Sequence, residues 1–319
     1  MSVAIPAGRR TVEVSRPDKA LFPDGTSKAD LARYYEAVAG AMLPHLAGRP
    51  LNLERYPDGI DGEGIVQQRA SRHFPDWIER VTVPKRDGTV EHVVASDAAT
   101  LVYLADQACI TPHAWPSRAD RLERPDRLIV DLDPSDGTAA EVRRAARDIG
   151  ELLRELGLEP FAMTTGSRGY HVVAPLQRRH DFDTVRAFAR DLARLAAARD
   201  PRRLTVEQRK AKRGDRILVD VMRNTYAHTA VAPYAVRARP GAPVATPLAW
   251  DELAQSSTRP DRWTLRTLPD RLEHDGDPWA QINDAARALG TPRRRLADAL
   301  REQRPPGSSI SPTQRRRSA

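Results

Sequence analysis

The chain has 319 residues, 40% hydrophobic and 29% charged, and its 51 Lys plus Arg against 43 Asp plus Glu leave a net charge of +8. That length can bury one large domain or two closely packed ones, and the basic balance favours a polyanionic partner without naming it. A single cysteine, Cys109, excludes an internal disulfide framework and a multi-cysteine zinc site. With no long apolar run near the start, a soluble cytoplasmic protein without a membrane partner is expected.

Residues 1–10, rich in Ser, Ala, Pro, Gly and Arg, are expected to be flexible. Residues 11–16 alternate as a short strand, and 17–25 form a loop closed by Pro23-Asp24-Gly25. Thr26 or Ser27 caps the next helix, on which Leu31, Tyr34, Tyr35, Val38 and Met42 recur at helical spacing. Lys19 and Lys28 bracket this helix start, where unpaired N–H groups favour a phosphate; two solvated lysines are the plainer alternative. A strand is expected over 51–56, then a Gly- and Asp-rich loop over 57–64. Residues 81–94 form a hairpin turning at Asp87-Gly88. Lys85-Arg86-Asp87-Gly88 also spells the short signature of a nucleotidyl-ligase lysine, but the Asp-Gly serves the turn and no further ligase motif follows. A helix over 98–109 leads into Thr111-Pro112-His113-Ala114-Trp115, with His113 in a loop.

Leu128-Ile129-Val130-Asp131-Leu132-Asp133-Pro134 is an apolar run carrying two carboxylates. On a strand, residues two apart share a face, so Asp131 and Asp133 converge while Leu132 turns into the opposite layer. Such a pair is either a platform for Mg²⁺ or Mn²⁺, or the end of a strand running into the turn Asp133-Pro134-Ser135-Asp136-Gly137. An amphipathic helix over 138–156 stops at Gly157, and a strand over 161–165 runs into Thr165-Gly166-Ser167-Arg168-Gly169-Tyr170-His171. That tight loop offers N–H groups, Arg168 and His171 to phosphate oxygens, or is simply a hairpin turn. A second amphipathic helix spans 183–198, followed by a basic segment over 202–216 that includes Arg213. Residues 217–223 form a strand placing Leu218, Asp220 and Met222 on one face, and an acid among apolar residues calls for a partner. The proline-rich remainder wraps the domain before helices near 250–255 and 278–289. From 303 to 319 a disordered basic tail is expected.

Three carboxylates on two strands suit two divalent ions and in-line displacement at phosphorus. His171, Arg168, Arg213 and Arg223 would neutralise a triphosphate, which favours nucleotidyl transfer over hydrolysis.

Asp131-Leu-Asp133-Pro134, Thr165-Gly-Ser-Arg-Gly-Tyr-His171 and Val219-Asp220-Val-Met-Arg223-Asn224, in this order, resemble the three motifs of the polymerase domain of bacterial ligase D, in the archaeo-eukaryotic primase superfamily. Asp18-Lys19-Ala-Leu-Phe-Pro23, Leu46-Ala-Gly-Arg-Pro50, Arg55-Tyr-Pro-Asp-Gly59 and the stretch from Val231 to Val244 agree, so the match spans roughly residues 10–255. The resemblance implies an α/β fold of two mixed sheets packed with helices, filling residues 11–302. It implies a template-directed polymerase of non-homologous end joining that fills gaps and extends 3′ ends, leaning toward ribonucleotides and using two Mn²⁺ or Mg²⁺ ions. By position, Asp131, Asp133 and Asp220 become the metal ligands, and His113, Thr165, Ser167, Arg168, His171, Arg213 and Arg223 surround the incoming NTP or dNTP. Lys19 and Lys28 fall where the family holds a DNA 5′-phosphate. A Ku-type end-binding protein and a separate DNA ligase are implied partners, with a location at the nucleoid. The chain departs from the family at Thr165 and Arg168, where Ser and Lys are frequent, and at Ile65-Val66-Gln67-Gln68, where paired aromatics and a lysine are. Two other readings stand beside this one: a primase or lesion-tolerant polymerase outside end joining, and a non-catalytic DNA-end-binding module. The second needs a degraded acidic trio, and all three acids are present.

Overall fold

The structure, a computed structural model, describes residues 1–135 and 138–303, so the expected basic tail lies almost wholly outside the described residues. The segment expected to be flexible is instead paired. β1 (Ser2–Ala7) runs antiparallel to β2 (Arg10–Ser15), burying Ile5 and Ala7 at period two with Val12 and Val14. Ser27 caps α1 (Lys28–Ala37): its hydroxyl accepts from the Asp30 N–H, and the Asp30 carboxylate accepts from the Ser27 N–H. The helix stops at Val38 and restarts as α2 (Ala39–Leu46), so the single helix expected there is two. β-Branched Val38 and Gly40 weaken the joint.

The first six-stranded sheet follows, from β3 (Leu51–Arg55), β4 (Ile65–Gln67), β5 (Arg80–Lys85) and β6 (Gly88–Val93). α3 (Ala98–Asp106), capped by Asp97, packs on the β1–β2 hairpin and on β7 (Cys109–Ala114). His113 therefore lies on a strand, not in the expected loop: the apolar neighbours Ile110 and Ala114 are drawn into the core and β7 pairs along β3.

The second sheet is built on β8 (Arg127–Pro134), α4 (Ala139–Leu156), β9 (Phe161–Thr164), β10 (Tyr170–Pro175), α5 (Phe182–Arg199), β11 (Leu204–Thr205) and β12 (Ile217–Asp220). β13 (Ala230–Val231) then crosses to the first sheet and pairs with β7, whereas β14 (Pro247–Leu248) returns to β9. The strand orders are β13-β7-β3-β6-β5, with β4 also on β3, and β11-β12-β8-β10-β9-β14. The β11–β12 pair is parallel and the β8, β9, β10, β12 and β14 pairings are antiparallel, which makes the second sheet mixed. α4 and α5 cover one of its faces, where Leu128, Val130 and Leu132 are fully buried.

The chain ends in α6 (Leu268–Asp275) and α7 (Gly290–Glu302), and the helix expected over 278–289 does not form. That segment is instead strapped down by Asp277. Its carboxylate accepts from Tyr234 at 2.5 Å and from the Trp279 N–H at 2.8 Å, and it meets His45 Nε2 at 2.8 Å. The short helix expected near residue 250 is a 3-10 turn, Trp250–Ala254. Among the described residues no helix is long and apolar enough to cross a membrane.

Candidate active site

Alternation on β8 sends Leu132 under the helices and turns Asp131 and Asp133 to the opposite face. β12 lies beside β8 with Asp220 directly across from Asp131, and β10, on the other side, sets His171 across from the same residue. Cross-strand partners share a face, so three strands present Asp220, Asp131 and His171 in a row, with Asp133 one step along. These four residues line a cavity of about 280 Å³ together with His113, Thr165, Ser167, Arg168 and Arg223. His113 reaches it from β7 of the first sheet, across from Val231 of β13, so the cavity lies where the two sheets meet.

The acids are held by cations. Asp131 stands 3.6 Å from His171 Nε2 and 3.5 Å from Arg223, and Asp133 stands 3.3 Å from Arg213 and 3.8 Å from Arg168. Asp220 accepts the Met222 N–H at 2.8 Å. Burial works to raise the Asp131 carboxyl, but His171 and Arg223 prevail and hold it below the ordinary carboxylate range. Among the described residues no three acids or imidazoles close around one point as an ion's ligand shell. The donor chemistry still fits a hard divalent cation: two carboxylates on one strand, a third directly opposite, all on one cavity wall.

The glycine loop is shaped by its own residues. Thr165 Oγ1 donates to the Gly169 carbonyl at 3.0 Å and accepts the Gly169 N–H at 3.3 Å. A Cβ on Gly169 would stand 2.2 Å from the Leu132 carbonyl oxygen, which no side chain tolerates. Gly166 adopts φ +61°, a left-handed conformation that suits glycine. The two glycines thus let the loop press against β8 beside the acids. Arg213 is buried outside the cavity wall, giving Nε to the Glu207 carbonyl at 2.8 Å and Nη2 to that of Gln208 at 2.7 Å, and meets Asp133 of the site at 3.3 Å.

Sequence reasoning missed Arg237 and Arg239, which line the same cavity. Arg237 Nη1 donates to the Thr165 carbonyl at 3.0 Å, bracing the glycine loop. They lie outside any strand, so the alternation that singled out Asp131 and Asp133 does not reach them. Glu54 was missed as well; its carboxylate lies 3.1 Å from His113 Nε2. With these additions four arginines face three carboxylates across the cavity, which leaves room for a polyanion once the acids hold metal.

Lys19 and Lys28 line a second cavity of about 260 Å³, with Arg16, Arg55 and Asp106. Lys28 is buried, and its Nζ donates to Ser15 Oγ at 3.0 Å and to Asp106 at 3.0 and 3.1 Å. Lys19 meets the exposed Asp58 at 3.1 Å.

A mixed α/β fold with three acids and a cationic loop facing one cavity is the form of a nucleotidyltransferase. The chain belongs to the LigD primase-polymerase domain family, which it matches over residues 27–279. It is 35% identical, over 92% of its length, to the multifunctional non-homologous end joining protein LigD of Pseudomonas aeruginosa, covering 34% of that protein. It is 30% identical, over 95% of its length, to the protein of the same name from Mycolicibacterium smegmatis, covering 40% of it. The chain therefore spans well under half the length of these relatives. Among solved structures, the polymerase domain of Mycobacterium tuberculosis ligase D in complex with DNA superposes with a TM-score of 0.81 at 30% identity, covering 86% of this chain and 99% of that one.

Proposed function

We propose that this protein is a template-directed polymerase that adds nucleotides to 3′ ends at gaps and breaks during non-homologous end joining, with ribonucleotides preferred. The observation that carries it is the three carboxylates Asp220, Asp131 and Asp133 lining one cavity with Arg168, Arg223, Arg237 and Arg239. Asp131, Asp133 and Asp220 would hold two Mn²⁺ or Mg²⁺ ions. Bound there, the metal supplies a lowered pKa for the attacking 3′-hydroxyl and charge stabilisation at phosphorus. The arginines and His171 hold and orient the triphosphate, and Thr165, Ser167 and the glycine loop shape the wall against which it lies. Lys19, with Arg16 and Arg55 around it, takes the 5′-phosphate at the far side of a gap. A Ku-type protein and a separate ligase would bring the ends and seal them.

A second reading, a primase or lesion-tolerant polymerase outside end joining, is favoured by Lys28, whose three donors are already satisfied within the protein. One primer-extension experiment tests both. It uses gapped DNA with and without a 5′-phosphate, ribo- or deoxyribonucleotides, and Mg²⁺ or Mn²⁺. Extension by the wild type, loss of at least about a hundredfold in Asp131→Ala with DNA binding kept, and preference for the phosphorylated gap are expected. Unchanged extension in Asp131→Ala would end the polymerase proposal. Extension indifferent to the phosphate and to Lys19→Ala would move the protein to the second reading.

A further inference from the structure

We propose that Glu54 is a positioning residue that fixes the tautomer of His113, so that His113 meets the bound nucleotide as a hydrogen-bond acceptor. The inference rests on the nucleotidyl-transfer reading for its ligand, but not for its geometry.

Residues Asn52 and Glu54 of β3 share a sheet face with Thr111 and His113 of β7, because Asn52 pairs with His113 and Glu54 with Thr111. Glu54 thus lies diagonal to His113, and its Oε2 is 3.1 Å from His113 Nε2. The other carboxylate oxygen, Oε1, accepts the Tyr56 hydroxyl at 2.7 Å, so the carboxylate is held at both ends. That hydroxyl bond and the imidazole keep the Glu54 carboxyl at about 2, fully ionised near neutrality, with the His113 contact the larger influence. An ionised carboxylate can only accept, so the imidazole proton sits on Nε2. Burial lowers the His113 pKa against the pull of Glu54, and Arg237 and Arg223 act with burial. The ring is therefore neutral, with one N–H already used.

His113 lines the cavity, and among the described residues Nε2 is its ring nitrogen with a partner, which leaves Nδ1 as the ring's free acceptor. An acceptor cannot bind ionised phosphate oxygens, which bring no proton. The arginines serve those. His113 suits a donor on the nucleotide instead, a sugar hydroxyl or a base amino group. Without Glu54 the ring could flip its proton to Nδ1 and turn from acceptor to donor at the same spot.

The test reads the His113 ring nitrogens by long-range ¹H–¹⁵N spectra in the wild type, Glu54→Gln and Glu54→Leu, alongside nucleotide KM and kcat on primed DNA. Gln keeps an acceptor for Nε2–H and offers its amide to Tyr56; Leu keeps neither. The wild type and Glu54→Gln are expected to show a single Nε2–H tautomer, and Glu54→Leu averaged nitrogen shifts. KM for nucleotide is expected to rise about tenfold in Glu54→Leu and less than about threefold in Glu54→Gln, with kcat moving less than KM. Tyr56→Phe, which frees one end of the carboxylate, should give the same changes in smaller degree and serves if Glu54→Leu does not fold. Ring nitrogens unmoved in both Glu54→Leu and Tyr56→Phe, or Glu54→Gln as impaired as Glu54→Leu, would overturn the proposal. If no protein, wild type included, incorporates nucleotide, the polymerase reading fails while the ring spectra still decide the role of Glu54.

Discussion

At the scale of single residues the site depends on groups that carry no charge as much as on those that do. Gly169 is the clearest case. Its missing Cβ lets the loop backbone lie against the Leu132 carbonyl, midway between the two aspartates of β8. A methyl group there must push β10 or β8 aside, and displacement of about 1 Å at a reacting site costs about a hundredfold in rate. Gly169→Ala is expected to lower primer extension by at least about tenfold while leaving overall helix and strand content unchanged by circular dichroism. Extension at the wild-type level would show that the loop tolerates displacement and that glycine serves only folding. The acids were legible from the sequence because alternation on a strand is a strong, local rule. Glu54, Arg237 and Arg239 were not, because their place at the cavity depends on how strands β3 and β7 and the segment after β13 come together over long sequence distances.

At the scale of elements, helices announced themselves where caps and amphipathic spacing agreed. α4 begins with the Thr138–Glu141 capping box and ends on Gly157 at φ +92°, as Thr138 and Gly157 in the sequence indicate. Elements were misread where tertiary contacts overrode local pattern: residues 2–7 form a strand because β2 and α3 give their apolar side a place to be buried, and residues 278–289 stay irregular because Asp277 ties them to His45 and Tyr234. Within α4, Gly150 tests how tightly such contacts are fitted. Glycine in a helix interior costs about 1 kcal/mol relative to alanine, so Gly150→Ala ought to stabilise the protein. Yet a Cβ there would stand 1.9 Å from the Trp250 ring, over which the Arg154 guanidinium lies 4.2 Å from the ring centroid. Overpacking of this kind costs about 1 to 3 kcal/mol, more than the helix gains. Gly150→Ala is expected to lower the urea midpoint, and Gly150→Ala with Trp250→Ala to lower it less than the separate effects added together. A raised midpoint in the single variant would mean that Trp250 moves aside freely.

At the scale of the whole molecule, buried carboxylates pin distant segments to one another. Asp126, just before β8, is within 2.7 Å of Arg49 after α2, 2.9 Å of Arg118 and 3.8 Å of Arg127. Burial works to raise its carboxyl, and the three arginines hold it far below the usual carboxylate range. Asp277 is likewise raised by burial and, on balance, lowered by His45 and Tyr234. A carboxyl depressed in the folded state contributes stability that is complete above its unfolded pKa, about 4, and is lost as pH falls below that toward the folded value. The melting temperature should therefore be steady on the acid side down to about pH 5 and drop between about pH 4 and 2. Asp126→Asn should melt lower at pH 7, since leaving buried arginines without their acid costs about 3 to 5 kcal/mol, and should show a shallower acid slope. An unchanged slope would place the acid sensitivity elsewhere.

The crossing of β13 from one sheet to the other also sets the order in which the site comes into being. His113 takes its place on β7, but its neighbour Val231 is 118 positions later in the chain, beyond Asp131, Asp133, the glycine loop and Asp220. At synthesis rates of about 5 to 20 residues per second, β7 waits for roughly ten seconds after leaving the ribosome before its partner strand arrives. Throughout that interval one edge of the first sheet lacks its final strand and the cavity lacks a wall. A nascent chain of this protein therefore exposes Asp131 and Asp133 well before Asp220 and Val231, and its working pocket closes only when that later stretch has been made.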